Sequence, residues 1–260
     1  MTTQPISLSD GLSRIERTGD NSGYAFTALD VIDRGLESMA PIENFPHLMF
    51  VNLSKNSLSD GQALSRLEYL TTLNLSENKF TELPPLKHAF LKDVDLSNNQ
   101  LTSLQNCDVG QSILSLKLNG NQLTSLDGIS KFSSLIYLEL ARNEISQLAA
   151  SGPFSTIQQL VLSENKLTAL AGLELFPNVV TLAVDLNQIT TFESVATLTQ
   201  LQALAEIDLT GNGITELENY RFEMLSMLPR IKKLDGIVVA DEERLKAINY
   251  KQTRAPVEEE

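Results

Sequence analysis

The chain is poor in the residues that carry most protein chemistry. Its 260 residues include one cysteine, Cys107, two histidines, His47 and His88, and no tryptophan. A single cysteine excludes an internal disulfide, and without a cysteine framework nothing suggests a stapled, secreted fold. Cys107 falls three residues after Leu104 on an apolar position, where it reads as a small buried hydrophobe. The two histidines lie in separate connecting segments with no His or Cys partner at ligand spacing, so no metal is expected. Neither a G-x-x-x-x-G-K-[ST] loop, nor G-x-G-x-x-G after a strand, nor a G-x-S-x-G elbow occurs. No catalytic residue, cofactor or small-molecule substrate is therefore expected.

Basic residues are in the minority, with 20 Lys and Arg against 33 Asp and Glu and a net charge of −13. Phosphate-backbone binding needs clustered Lys and Arg, so nucleic acid is not an expected partner. The charge keeps an elongated protein soluble. No apolar run approaches the roughly 18 to 20 residues that span a bilayer, so no membrane association is expected. Met1-Thr2-Thr3-Gln4-Pro5 lacks a basic region followed by an apolar one, so the chain reads as non-secreted and cytoplasmic.

What the sequence has in abundance is leucine at fixed spacing. Ile157, Leu160, Leu162, Asn165, Leu167 and Leu170 fit L-x-x-L-x-L-x-x-N-x-L-x-x-L, the pattern of a leucine-rich repeat. The Leu160-x-Leu162 core has the period of a strand with one buried face. The asparagine carries donors and an acceptor for backbone groups freed where the chain turns away. Its position recurs as Asn56, Asn78, Asn99, Asn121, Asn143, Asn165, Asn187 and Asn212, at separations of 21 to 25 residues. Stacked repeats share one core, so the class is α/β, a leucine-rich-repeat solenoid or horseshoe. It should have a concave sheet of about nine strands, all parallel, with short 3₁₀ or helical convex segments and a C-terminal helical cap. The concave arc should measure on the order of 38 Å, since neighbouring strands lie about 4.8 Å apart.

Four stretches follow. Residues 1–23 form an N-terminal arm, with Ser9 or Asp10 capping a short helix through Arg17. Residues 24–217 hold the repeats, opened by an atypical first strand with Arg34 in the asparagine position. Within them, Thr191 to Leu204 reads as a slightly longer helix. Residues 218–249 form the cap: Phe222, Leu225 and Leu228 share a helix face, Pro229 ends that helix, and Ile231 and Leu234 resume strand-like burial. Asp241 to Asn249 reads as a helix running off the body. Residues 250–260 are an acidic tail.

The concave face should present two rows. One runs Asp30, Asn52, Asn74, Asp95, Lys117, Glu139, Val161, Ala183, Asp208; the other runs Ala28, Phe50, Thr72, Asp93, Ser115, Tyr137, Gln159, Thr181, Glu206. Asp93 and Asp95 share a face, but an open sheet excludes too little water for acid–base work. Tyr137 with Val161, Ala183 and Leu186 makes a less polar patch suited to contact with another protein. Arg17, on the arm, is a second candidate contact.

The stretch from Asn219-Tyr220-Arg221 through Leu228-Pro229 to Leu234-Asp235-Gly236 resembles the C-terminal cap of intracellular 22-residue repeat proteins. That group includes a phosphatase-regulatory subunit, a spliceosomal protein, acidic nuclear phosphoproteins and an axonemal dynein light chain. The resemblance implies cap roles for Tyr220, Arg221, Leu228, Pro229, Leu234 and Asp235. A narrower likeness opens the chain. Gly11-Leu12-Ser13, Arg17-Thr18-Gly19, Tyr24-Ala25-Phe26 and Leu29-Asp30-Val31-Ile32-Asp33-Arg34 are similar to the start of the leucine-rich repeat-containing protein 23 family. These proteins belong to the radial spoke heads of motile cilia. The resemblance implies a non-enzymatic scaffold in the cytoskeleton of the ciliary or flagellar axoneme, with other radial spoke head subunits as partners. Two other readings stand beside it: a regulatory subunit of a protein phosphatase or an axonemal dynein, and an acidic nuclear protein that binds histones.

Overall fold

A computed structural model describes residues 8–18, 22–106 and 108–254. Cys107, Gly19 and residues 255–260 of the acidic tail lie outside the described residues. One sheet of twelve strands, in sequence order, runs the length of the molecule. Its strands are β1 (Leu12–Arg17), β2 (Tyr24–Asp30), β3 (Phe50–Asn52), β4 (Thr72–Asn74), β5 (Asp93–Asp95) and β6 (Ser115–Lys117). They continue as β7 (Tyr137–Glu139), β8 (Gln159–Val161), β9 (Thr181–Ala183), β10 (Glu206–Asp208), β11 (Lys233–Leu234) and β12 (Ile237–Val238). Helix α1 (Tyr220–Met227) precedes β11, and α2 (Asp241–Arg254) follows β12. The fold is a leucine-rich-repeat solenoid.

Each repeat strand puts its central leucine, isoleucine or valine into the core and its two flanking residues on the concave face. Leu160, Leu162 and Leu167 are each 0% exposed, and their equivalents in the other repeats join them in one continuous core. Burying such a side chain is worth about 1.5–3 kcal/mol. Turns of 3₁₀ helix fill the convex side, among them Ala40–Asn44, Gln62–Arg66, Ile129–Lys131 and Leu173–Leu175. The longer helix expected between Thr191 and Leu204 is Glu193–Gln200, eight residues of 3₁₀ rather than α geometry.

The asparagines lie between repeats. Asn143 Nδ2 donates to the carbonyls of Leu118, Leu140 and Ala141 at 3.0, 3.0 and 3.2 Å. Its Oδ1 accepts the Leu123 N–H at 3.0 Å. One side chain thus ties its own strand end to the repeat before it. Asn56, Asn78, Asn99, Asn121, Asn165, Asn187 and Asn212 bond in the same way, and all are at least nine-tenths buried. Arg34, in the asparagine position of the first repeat, donates its backbone N–H to Asn56 Oδ1 at 3.1 Å.

Three expectations are corrected. The strands are not all parallel: β2 to β11 are, but β1 pairs antiparallel with β2, and β12 antiparallel with β11. Both outer strands belong to hairpins. At β11–β12 the turn is Asp235-Gly236, with φ of 52° and 75°, the left-handed pair that a tight two-residue hairpin requires. No helix runs from Ser9 to Arg17. A 3₁₀ turn spans Leu8–Gly11, and β1 follows in register with β2, Leu12 opposite Leu29. A Cβ on Gly11 would fall 2.4 Å from the Asp30 carbonyl, so the chain presses backbone to backbone there and passes directly into the strand. Finally, α2 does not run off the body. It lies on α1: Ala247 is 1% exposed, Tyr250 stacks on Phe222 at 6.0 Å, and Glu243 forms an ion pair with Arg221.

Candidate protein-interaction surface

The register of the sheet generates two unbroken concave rows. Ala28, Phe50, Thr72, Asp93, Ser115, Tyr137, Gln159, Thr181 and Glu206 stand side by side. Asp30, Asn52, Asn74, Asp95, Lys117, Glu139, Val161, Ala183 and Asp208 form the second row.

Polar groups in the first half bond chiefly within the face. Asp95 Oδ1 accepts the Ser97 N–H at 2.9 Å. Lys117 lies 3.4 Å from Glu139, and Glu139 Oε2 accepts from Asn119 Nδ2 at 2.7 Å. Asp93, beside Ser115, is exposed. The two aspartates share a strand and a face, Asp93 exposed and Asp95 half-buried.

Beyond Glu139 the face changes character. Tyr137, Val161 and Ala183 stand on β7, β8 and β9, three successive strands, and Leu186 follows β9. Val161 and Ala183 are register partners on adjacent strands, and Tyr137 is level with Thr181 two strand spacings away, roughly 10 Å, whereas Leu186 lies five residues beyond Thr181, past the end of β9. Tyr137 is 48% and Leu186 54% exposed. Beside Ala183 the sheet dips into a depression of about 170 Å³ lined by Thr181, Ala183, Glu206, Asp208, Lys233 and Gly236. Arg17 is not part of this patch. It sits opposite Tyr24 at the far end of the β1–β2 hairpin, six strands from Tyr137.

Leu186 has a property the repeat pattern alone did not reveal. The residue before each ladder asparagine is left-handed: Lys55, Glu77, Asn98, Gly120, Arg142, Glu164, Leu186 and Gly211 all have φ between 53° and 73°. A bulky apolar side chain pays for that conformation. Elsewhere the position holds a polar residue or glycine; here it holds an exposed leucine packed over Gly211, where a Cβ would sit 2.6 Å from Leu186 Cδ2. The signal in the sequence was the residue type preceding each asparagine.

The C-terminal cap is a second cluster of functional groups, internal to the fold. Arg221 donates to Glu243 through Nε at 2.7 Å and Nη2 at 3.0 Å, and through Nη1 to the Leu234 carbonyl at 3.3 Å. The Arg221 hydrogen bond holds the Glu243 carboxyl below the usual carboxylate range. Burial raises the Asp235 carboxyl and also the Tyr220 hydroxyl, whose bond to Asp235 raises it further. Leu228 and Leu234 are buried, and Pro229 follows Leu228, the residue that caps the C-terminal end of α1. Among the described residues no three His, Cys, Asp or Glu side chains are grouped to hold a metal ion, and no helix is long and apolar enough to cross a membrane.

Comparison with known proteins agrees with this architecture. Family models described as leucine-rich repeats match residues 132–258 and 69–87. The chain is a leucine-rich repeat protein, of a fold that typically serves protein–protein interaction rather than catalysis. It is similar to leucine-rich repeat-containing protein 23 of Bos taurus, with 26% identity over 130 residues, which cover 42% of this chain and 38% of that protein. The matched stretch thus spans well under half of that relative's length. An internalin C2 from Listeria monocytogenes has the same fold, with a TM-score of 0.56 at 22% identity over 82% of this chain and 80% of that one. A chain of the LRIM1/APL1C complex matches with a TM-score of 0.59 at 20% identity, over 80% of this chain and 36% of that one.

Proposed function

We propose that this protein is a non-enzymatic scaffold whose concave face, centred on Tyr137, Val161, Ala183 and Leu186, binds another protein. One observation carries the assignment of the surface: Leu186 keeps an exposed apolar side chain at a strained position that its equivalents give to polar residues or glycine. Local strain at a side chain left more than half exposed, with only its contact over Gly211 to offset it, supports a role in contact with a partner. A preformed, curved sheet loses little ordering entropy when a partner docks.

The similarity to leucine-rich repeat-containing protein 23 supports a narrower reading. In it the scaffold is a radial spoke head component of the ciliary or flagellar axoneme, and its partners are other spoke subunits. The test is localisation of a tagged copy with proximity labelling in a ciliated cell. Axonemal signal with labelled spoke proteins is the expected result. A cytosolic or nuclear signal would overturn the axonemal assignment and favour a regulatory subunit of a phosphatase or dynein.

A further inference from the structure

Three aromatic rings stack along one flank of the solenoid. His47, Tyr69 and Phe90 hold the same position in successive repeats, directly before the buried Leu48, Leu70 and Leu91. The His47 and Tyr69 ring centroids lie 5.5 Å apart with 25° between the planes, and those of Tyr69 and Phe90 lie 6.4 Å apart with 5° between them. Near-parallel, offset stacks of this kind stabilise beyond the area they bury. The series then stops. Ser112 holds the next position, before the buried Ile113. Its hydroxyl lies 3.0 and 2.8 Å from the carbonyl oxygens of His88 and Leu91, residues on either side of Phe90 in the chain. A short side chain tied to backbone leaves the fourth rung without a ring. An open depression of about 550 Å³ lies here, with Lys87, His88, Ala89, Gly110, Gln111 and Ser112 in its walls.

Phe90, the last ring of the stack, is 52% exposed. Most of the other phenylalanines are buried or half-buried. Leaving half of such a ring in water forgoes apolar burial that a cover would recover. Within these 260 residues no further ring is left to supply that cover, because residues 1–7, 19–21, Cys107 and residues 255–260 include no Phe, Tyr or Trp. The geometry of the stack specifies what fits. The Tyr69 and Phe90 planes are almost parallel, so a flat ring placed at the Ser112 rung continues the series, whereas an aliphatic side chain gains area alone.

We propose that this flank receives an aromatic side chain of a partner protein, which stacks on Phe90 as the fourth rung of the ladder. The site shares no residue with the concave patch around Leu186, so each stands or falls separately. The test is titration of N-acetyl-tryptophanamide into the isotope-labelled full chain, followed by NMR of the backbone amides. The expected result is saturable shifts confined to Phe90, Gln111, Ser112 and their neighbours, with a Kd on the order of 1 to 10 mM. Phe90→Ala should weaken binding about three- to tenfold, the equivalent of one lost aromatic pair, and Phe90→Tyr should retain it. Ser112→Tyr supplies the fourth ring within the chain and should block the probe. N-acetyl-leucinamide, apolar but without a ring, should bind at least about threefold more weakly. Circular dichroism melts establish that each variant is folded. Shifts absent up to about 20 mM probe, shifts indifferent to Phe90→Ala, or equal binding of the leucine amide would each overturn the proposal. A dimer in sedimentation velocity that Phe90→Ala abolishes would also overturn it and give the ring to a second copy.

Discussion

The Tyr220 hydroxyl donates a 2.9 Å hydrogen bond to Oδ2 of Asp235, whose Oδ1 accepts the Leu209 N–H at 2.8 Å. In the inner repeats the corresponding N–H meets a carbonyl of the next strand: Leu140 bonds Val161, Leu162 bonds Ala183, and Val184 bonds Asp208. The last full repeat has a short successor, β11, and a side chain takes over from the missing carbonyl. Asp235 thus ends the ladder while also forming the β11–β12 turn. Tyr220→Phe removes the hydroxyl bonded to Oδ2 and leaves that oxygen partly buried. The expected loss is about 1–3 kcal/mol in urea denaturation, with an unchanged m-value. A variant as stable as the parent would show that solvent serves Oδ2 equally well.

The same carboxylate sets a pH dependence. Burial raises the folded-state pKa of Asp235 above its unfolded value. Its protonated form is therefore favoured by folding. That contribution is fully present below the ordinary carboxylate range, near 4, and is lost as pH rises through the elevated folded value. Asp235→Asn keeps an acceptor for Leu209 and cannot titrate. The stability of the parent relative to this variant should therefore increase as pH falls from neutrality towards about 4.5. The lowered pKa of Glu243 works in the opposite direction, but equally in both proteins, and cancels in the difference. A difference that stays flat or shrinks in acid would contradict this account of Asp235.

Much of this architecture is legible in the sequence because one interaction repeats. The Leu-x-Leu spacing fixes which face is buried, and the asparagine spacing fixes register, so both concave rows follow from counting residues. The ends do not repeat and obey different physics. The Asp235-Gly236 pair is a strong hairpin signal, yet within the cap resemblance it reads only as a cap residue and its neighbour. At the other end, residues 12–17 alternate apolar and polar too weakly to show a strand, because β1 is an exposed edge. The docking of α2 depends on Arg221 meeting Glu243 across 22 residues, a contact that helical periodicity cannot express. The candidate patch was legible as composition; the left-handed backbone at Leu186 was not.

Asn143→Ala tests the ladder where it is most regular. The substitution leaves the Leu123 N–H and the carbonyls of Leu118, Leu140 and Ala141 without the amide that joins them. A loss towards the upper end of about 1–3 kcal/mol is expected, because more than one buried group is stranded. Arg142→Ala, one residue earlier and exposed, should stay within about 0.5 kcal/mol of the parent. Equal effects for the two variants would mean that the asparagine contributes no more than its surface neighbour.

Leu186→Gly separates contact from structure in a single substitution. Glycine takes a φ of 54° freely, whereas a bulky L-residue pays roughly 1–2 kcal/mol there. Against that gain stand the backbone entropy of glycine, about 0.5–1 kcal/mol, and the lost packing over Gly211. The unfolding midpoint should therefore hold steady or rise slightly. Binding should fall, because the substitution removes the most exposed apolar side chain of the patch. Quantitative pull-down of the neighbours identified by proximity labelling measures it, with Glu164→Gly as the control at the equivalent left-handed position one repeat earlier. Loss of stability without loss of binding would reverse the assignment and make Leu186 a packing residue for Gly211. Retained stability with weakened binding would mean that the fold tolerates the strained leucine for the sake of its partner.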